Sequence, residues 1–217
     1  MSMKKALTIG ELLVTMAIIG IIATLVLPGF IQDYHKKLYT ARLKKSIEMI
    51  ELAVAQACAD NNVSYFNQTE YAKPLNNTKQ KEFIEKYFKI SKSGNISQSY
   101  RAIRGGATAT MTYPDTLVGG EYILFKCWDN KTTCDFWVDV NGKEGPNIGG
   151  RDLFIITLSI QNNKLSGAYP EKCGGDLRGA AESEDTYISR MKSSTTYDAV
   201  GAGCFAHMLF DNWEMKY

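Results

Sequence analysis

The stretch from Lys4 to Phe30, "KKALTIGELLVTMAIIGIIATLVLPGF", decides how the rest of the chain is read. Between Leu12 and Leu27 it carries no charge and no strong helix breaker, and back to Leu7 its only charge is Glu11. As a helix, the run from Leu7 to Leu27 spans roughly 31 Å, about one bilayer core. Lys4 and Lys5 precede it like the basic region of a secretory signal. No small-x-small cleavage pattern follows, because Ala23 is succeeded by Thr24, Leu25, Val26, Leu27 and Pro28, and no lipobox cysteine is present. A retained apolar helix is the better reading than a signal that is cut away. A charged side chain within a bilayer helix costs about 2.5 to 3.5 kcal/mol on insertion scales, so Glu11 needs a partner. A cut after Ala6 would create a free α-amine on Leu7, one helical turn from that carboxylate.

The array Lys4-Lys5-Ala6, then Leu7-Thr8-Ile9-Gly10-Glu11, then Leu12 to Ala23, closing in Leu25-Val26-Leu27-Pro28, resembles the class III signal of type IV pilins and type II secretion pseudopilins. Carried onto this sequence, the resemblance implies a leader over 1–6 with Ala6 as its last residue and Leu7 as the N-methylated terminus of the mature chain. Glu11 becomes the assembly glutamate and Pro28 the helix-loosening proline. Ala6 stands where glycine is usual, Leu7 where phenylalanine is usual, and Gly10 where the family commonly has an apolar residue. The implied function is a structural, non-enzymatic subunit of a type IV pilus or a type II secretion pseudopilus. Its implied partners are prepilin peptidase/methyltransferase, the membrane and homologous subunits. Its implied place is the bacterial inner membrane, crossed once, with the C-terminal domain extracytoplasmic and extracellular or periplasmic after assembly. In a medium of low dielectric, the Glu11 carboxylate and a neighbouring subunit's terminal amine attract strongly and offset each other's burial. Pro28 lacks an amide hydrogen and Gly29 adds backbone freedom, so a bend or local melting is expected there.

The positive charges point the other way. Lys36, Lys37, Arg42, Lys44 and Lys45 follow the apolar run and outnumber Lys4 and Lys5, a count that by itself places the C-terminal part in the cytoplasm. The leader resemblance and the cysteines outweigh that count. Cys127, Cys134 and Cys173 lie among turn residues, which suits an oxidising compartment, and the odd total of five leaves at least one thiol unpaired or intermolecular.

With 217 residues, 45% apolar and 22% charged, the chain can bury one sizeable core. After the span of residues 7–30, Tyr39, Leu43, Ile47, Ile50, Val54 and Ala57 recur at spacings of three and four, predicting an amphipathic helix over 31–60 that ends at Asn61-Asn62. Its stripe packs on a sheet of the same chain or, alternatively, forms a coiled coil. Cys58 near its end reads as a buried free thiol. Residues 61–217 form the globular part. A connection over 61–120 holds one short helix, Lys79 to Ile90, with Phe83, Ile84, Tyr87 and Phe88 on one face; Arg101 to Thr112 is indeterminate. From Glu121 the period becomes two: Tyr122 to Phe125, Phe136 to Val140, Leu153 to Leu158 and Phe205 to Trp213 read as strands joined by hairpin turns. The expected fold is α+β and pilin-like, a long N-terminal helix packed on an antiparallel sheet.

Cys127 and Cys134 flank the turn "WDNKTT", which brings them within bridging range, and Cys173 with Cys204 encloses a long polar segment whose closure would restrict the unfolded chain. In "DVNGKEGPNIGGRD", Asp139, Asn141 and Asp152 offer oxygen ligands to calcium, the one cofactor considered, and calcium loops occur among pseudopilins. The competing reading is an Asn141-Gly142 hairpin turn. This string and the final "CFAHMLFDNWEMKY" also resemble segments of pilin-like proteins of gut bacteria. A net charge of +2 with interspersed signs gives no nucleic-acid signal. Two histidines, His35 and His207, leave no zinc or hydrolase pattern, and Glu182 and Glu184 read as solvated. The alternative function is a signal-anchored extracytoplasmic binding module, or a minor pilin acting as a tip adhesin.

Overall fold

A computed structural model describes residues 8–74, 76–94, 96–101, 108–128, 132–167 and 204–215. The chain divides into two compact units, Met1–Leu38 and Tyr39–Tyr217. Helix α1, Ile9–Asp60, is continuous through Pro28. In its first part every large apolar side chain from Ile9 to Ile31 is exposed, and the most apolar 18-residue window has none of its residues buried, long and apolar enough to cross a membrane. Within the second unit the character reverses, because Tyr39, Leu43, Ile47, Ile50, Val54 and Ala57 are all buried, as their spacing predicts. The helix stops where Asn62 adopts the left-handed conformation at φ 53°. There the Val63 amide reaches the Cys58 carbonyl and the Asn62 amide the Ala59 carbonyl, a Schellman ending that satisfies the last orphan carbonyls.

The second unit holds a six-stranded antiparallel sheet in the order β1-β4-β5-β6-β7-β8, with strands Ile90–Lys92, Asp115–Leu117, Tyr122–Cys127, Thr133–Asp139, Leu153–Ser159 and Lys164–Gly167. A separate ribbon pairs β2, Ser97–Arg101, with β3, Thr108–Thr112. Both faces of the central strands are covered. One face carries Phe125 and Phe136, against which Phe66 and helix α2 (Asn77–Tyr87) place their rings, with Phe83 4.9 Å from Phe125 and Phe125 4.5 Å from Phe136 between centroids. Full burial of each such ring contributes about 1.5 to 3 kcal/mol. On the opposite face, Tyr100 and Met111 of the ribbon pack on Tyr122 and Leu153. Double coverage explains why β7 reads as a nearly continuous apolar run rather than a strict alternation.

The second unit is thus α+β, with a long helix packed with an antiparallel sheet. Three expectations are corrected. Residues 61–120 are more than a connection: besides α2 they supply two 3-10 turns, β1, the β2–β3 ribbon and β4. The segment around Phe205 is not a last strand but helix α3, Cys204–Phe210. The alternation of Phe205, His207 and Leu209 suggested a strand, yet Cys204, Phe205 and Met208, at helical spacings of three and four, are buried and Leu209 is exposed. The Asn141-Gly142 step is not a two-residue hairpin turn. Gly142 has φ 63° but Asn141 is not in the left-handed region, and the β6–β7 connection runs from Val140 to Asp152.

Candidate assembly site at the start of the first helix

Helix α1 begins in a reciprocal capping box formed by Thr8 and Glu11. Thr8 gives its amide and its hydroxyl to Glu11 Oε2 at 2.9 and 2.8 Å, and its Oγ1 accepts the Glu11 amide at 3.2 Å. The first intrahelical bond, from the Leu12 amide to the Thr8 carbonyl, follows at 3.1 Å. The sequence explains the geometry, since Thr-x-x-Glu places a hydroxyl at the cap and a carboxylate three residues on. A negative side chain in the first turn also complements the positive end of the helix dipole. Glu11 Oε1 receives no hydrogen bond among the described residues. One oxygen of Glu11 is therefore used locally, and the other has no hydrogen-bond partner among the described residues. Thr8 is the residue that sequence reasoning missed, although its signal, the capping spacing, lies within "TIGE". Ala6 and Leu7, the expected processing residues, lie outside the described residues.

Pro28 sits inside α1, and residues on both sides of it remain helical. The expected local melting at Pro28-Gly29 is therefore not seen, since both residues lie within the helix. No atom comes within 4 Å of a Cβ placed on Gly10, Gly20 or Gly29, so the helix surface is open at each of these positions.

In the second unit, Cys127 and Cys134 are bonded as expected, facing each other in the β5–β6 register. Cys58 is a buried free thiol, and burial raises its pKa. Cys204 is itself disulfide-bonded, while Cys173, its expected partner, lies outside the described residues, as do Glu182 and Glu184.

The residues proposed for calcium come together at the β6–β7 loop, where their carboxylates accept hydrogens from the chain. Asp139 Oδ1 accepts the amides of Asn141 and Gly142 at 3.0 and 2.8 Å, and its Oδ2 accepts the Tyr100 hydroxyl at 2.6 Å. Asp152 Oδ1 accepts the amides of Ile148 and Leu153 at 2.6 and 3.1 Å, and its Oδ2 accepts the Asn147 amide at 2.6 Å. Every carboxylate oxygen of Asp139 and Asp152 already faces a donor hydrogen, while Asn141 Oδ1 is buried with no hydrogen-bond partner among the described residues. Asn141 turns its amide nitrogen toward the Tyr39 hydroxyl and the carbonyls of Glu144 and Gly145. Among the described residues no group of three or more His, Cys, Asp or Glu is placed to hold a metal. The arrangement instead clamps the β6–β7 loop to the ribbon and to α1, where Arg42 adds a bond to the Val140 carbonyl at 3.2 Å. Burial pushes the Asp139 carboxyl up to about 7, with the Tyr100 hydroxyl opposing and the charge of Asp152 adding to the rise.

No protein-family model, curated protein or solved structure matches the chain. The class the fold defines is a globular α+β domain carried on one long helix whose first part is apolar and exposed.

Proposed function

We propose that the chain is a prepilin-like structural subunit, cut after Ala6, methylated at Leu7 and assembled through α1 into a type IV pilus or type II secretion pseudopilus. The observation that carries the reading is the pairing of an exposed apolar stretch, the first part of α1, with a single carboxylate in its first turn, one of whose oxygens has no partner among the described residues. An exposed apolar surface of that length requires lipid or other helices as its environment. Assembly exchanges the first for the second, and the free oxygen of Glu11 selects a neighbour bearing a terminal amine.

The excess of cations after the span also finds an explanation in this reading. Arg42 binds the Val140 carbonyl, Lys44 lies over the Trp213 ring at 5.0 Å and Lys45 approaches Glu121 at 3.6 Å. Three of the five are engaged by the folded second unit and do not act as free membrane-flanking charges. The reading is tested by Glu11→Ala in the native host. Membrane insertion should persist, because removing a charge favours it, while recovery of the subunit in sheared filaments should fall at least tenfold. Normal assembly of the variant contradicts the proposal.

A further inference from the structure

The sequence contains five Asn-x-Ser/Thr triplets, at Asn62, Asn67, Asn76, Asn95 and Asn130, none with proline in the middle. Such a triplet is the acceptor signature for an N-linked glycan, and it serves only where the asparagine amide and the hydroxyl two residues on both stand clear at the surface. Asn95 and Asn130 lie outside the described residues, and the fold sorts the other three. At Asn76 the side chain is occupied, because Oδ1 caps α2 by accepting the Lys79 amide at 3.2 Å. At Asn67 the hydroxyl is occupied, because Thr69 is only 4% exposed and gives its hydroxyl to the Phe66 carbonyl at 2.8 Å. At Asn62 neither group is occupied. Asn62 and Ser64 are both exposed, and neither side chain is hydrogen-bonded among the described residues. The backbone here is nevertheless held in place. Asn62 takes the left-handed conformation that ends α1, at φ 53°, a conformation asparagine tolerates better than most residues. The Ser64 amide donates to Gln68 Oε1 at 3.1 Å, and the Ser64 carbonyl accepts the side-chain amide of Asn163 at 3.0 Å. These bonds fix the main chain of the triplet and leave its two reactive side chains unused.

We infer that Asn62-Val63-Ser64 is a site of N-linked glycosylation, with Asn62 as the acceptor and a lipid-linked oligosaccharyl pyrophosphate as the donor. Asn62 Nδ2 attacks the anomeric carbon of the donor's first sugar. A carbon–nitrogen bond forms there as the bond from that carbon to the phosphate oxygen breaks. The lipid pyrophosphate leaves with the bonding pair, and a base of the transferase takes the amide proton, so nothing is oxidised or reduced. Ser64 supplies the hydroxyl by which the transferase reads the triplet. The inference rests on the extracytoplasmic placement of the second unit in the proposed function, since this signature marks surface loops of exported chains.

The test is mass spectrometry of the full chain extracted from native host membranes, read at the peptide that contains Asn62, alongside protease digestion of intact spheroplasts. That peptide should carry a glycan whose fragmentation leaves a sugar remnant on the Asn62 side-chain amide. Ser64→Ala should abolish the modification and Ser64→Thr should retain it. Asn62→Gln should abolish it as well, but it places a new side chain in a left-handed position, whereas Ser64→Ala leaves that residue and the fold around it unchanged. Asn67→Gln and Asn76→Gln should leave the Asn62 glycan in place. An unmodified Asn62 peptide, a remnant on the Ser64 hydroxyl instead of the Asn62 amide, or a glycan that survives Ser64→Ala would each overturn the inference. The spheroplast digestion separates the two readings. A second unit cut from outside with Asn62 bare overturns the glycan alone, whereas a protected second unit overturns its extracytoplasmic placement too. None of these readouts depends on filament assembly.

Discussion

Tyr100 on the β2–β3 ribbon donates its hydroxyl to Asp139 at the end of β6, 2.6 Å away and fully buried, and so joins the ribbon to the main sheet through a carboxylate that burial holds near neutrality. In the unfolded chain Asp139 titrates near its ordinary 3.8; in the fold it is raised to about 7. The native state therefore binds the proton more tightly, and unfolding between those values releases it. The contribution is complete below about pH 4 and is lost as pH rises through 7, with a slope of at most about 1.4 kcal/mol per pH unit for this one proton. Asp135 and Asp152 are raised by burial too and push in the same direction. Urea midpoints in micelles should fall from pH 5 through 6 to 7 and level off by pH 8, and Asp139→Asn should flatten the trend. A midpoint that rises over this range contradicts the assignment.

Removing the Tyr100 hydroxyl leaves Asp139 Oδ2 without its donor. Tyr100→Phe should lower stability by about 1 to 3 kcal/mol, read as a shift in urea midpoint at unchanged m-value.

Gly142 is the position where the β6–β7 loop meets the β4–β5 turn. Its φ is 63°, and a Cβ there would lie 2.0 Å from the Gly120 carbonyl oxygen, a backbone atom that cannot swing aside. Gly142→Ala should cost at least about 1 to 3 kcal/mol by the same measurement. A neutral effect would mean that the loop is placed differently.

Much of this loop was hidden from sequence reasoning, for a physical reason. Asp139, Asn141 and Asp152 are oxygen-bearing residues at short spacings, and that pattern serves a cation or a set of backbone amides equally well. The placement of the amides of Asn141, Gly142, Ile148 and Asn147, which point at these carboxylates, is set by the fold of the loop and not by the spacing. Strands β5, β6 and β7 were legible because their apolar side chains face two packed layers and turn residues separate them. The stripe from Tyr39 to Ala57 was legible because it is buried along one face. Phe205 to Trp213 was misread because nine residues are too few to separate a period of 2 from one of 3.6, and the ribbon β2–β3 because Ser, Thr and Ala carry little periodic signal.

The Cys127–Cys134 bond closes a loop with a sequence separation of only seven. A short loop restricts the unfolded chain modestly, so the double Cys→Ser variant should lose about 2 to 3 kcal/mol and still fold. Complete unfolding would show that the bond does more than restrict that loop.

The Thr8–Glu11 box allows helix capping and subunit assembly to be separated. Glu11→Gln keeps an acceptor at the third helical position and preserves the box but removes the charge, whereas Thr8→Val removes the cap, at about 0.5 to 2 kcal/mol of local helix stability, and leaves the carboxylate. In a shearing assay, assembly should fail for Glu11→Gln and survive in Thr8→Val. The opposite outcome would make Glu11 a capping residue only.

The most direct test of the account is the N-terminus of the mature chain. Subunits extracted from native membranes should give, by mass spectrometry of their first peptide, a chain that begins at Leu7 with a methylated α-amine. A chain that still begins at Met1 would leave Glu11 without its proposed partner and contradict the central claim.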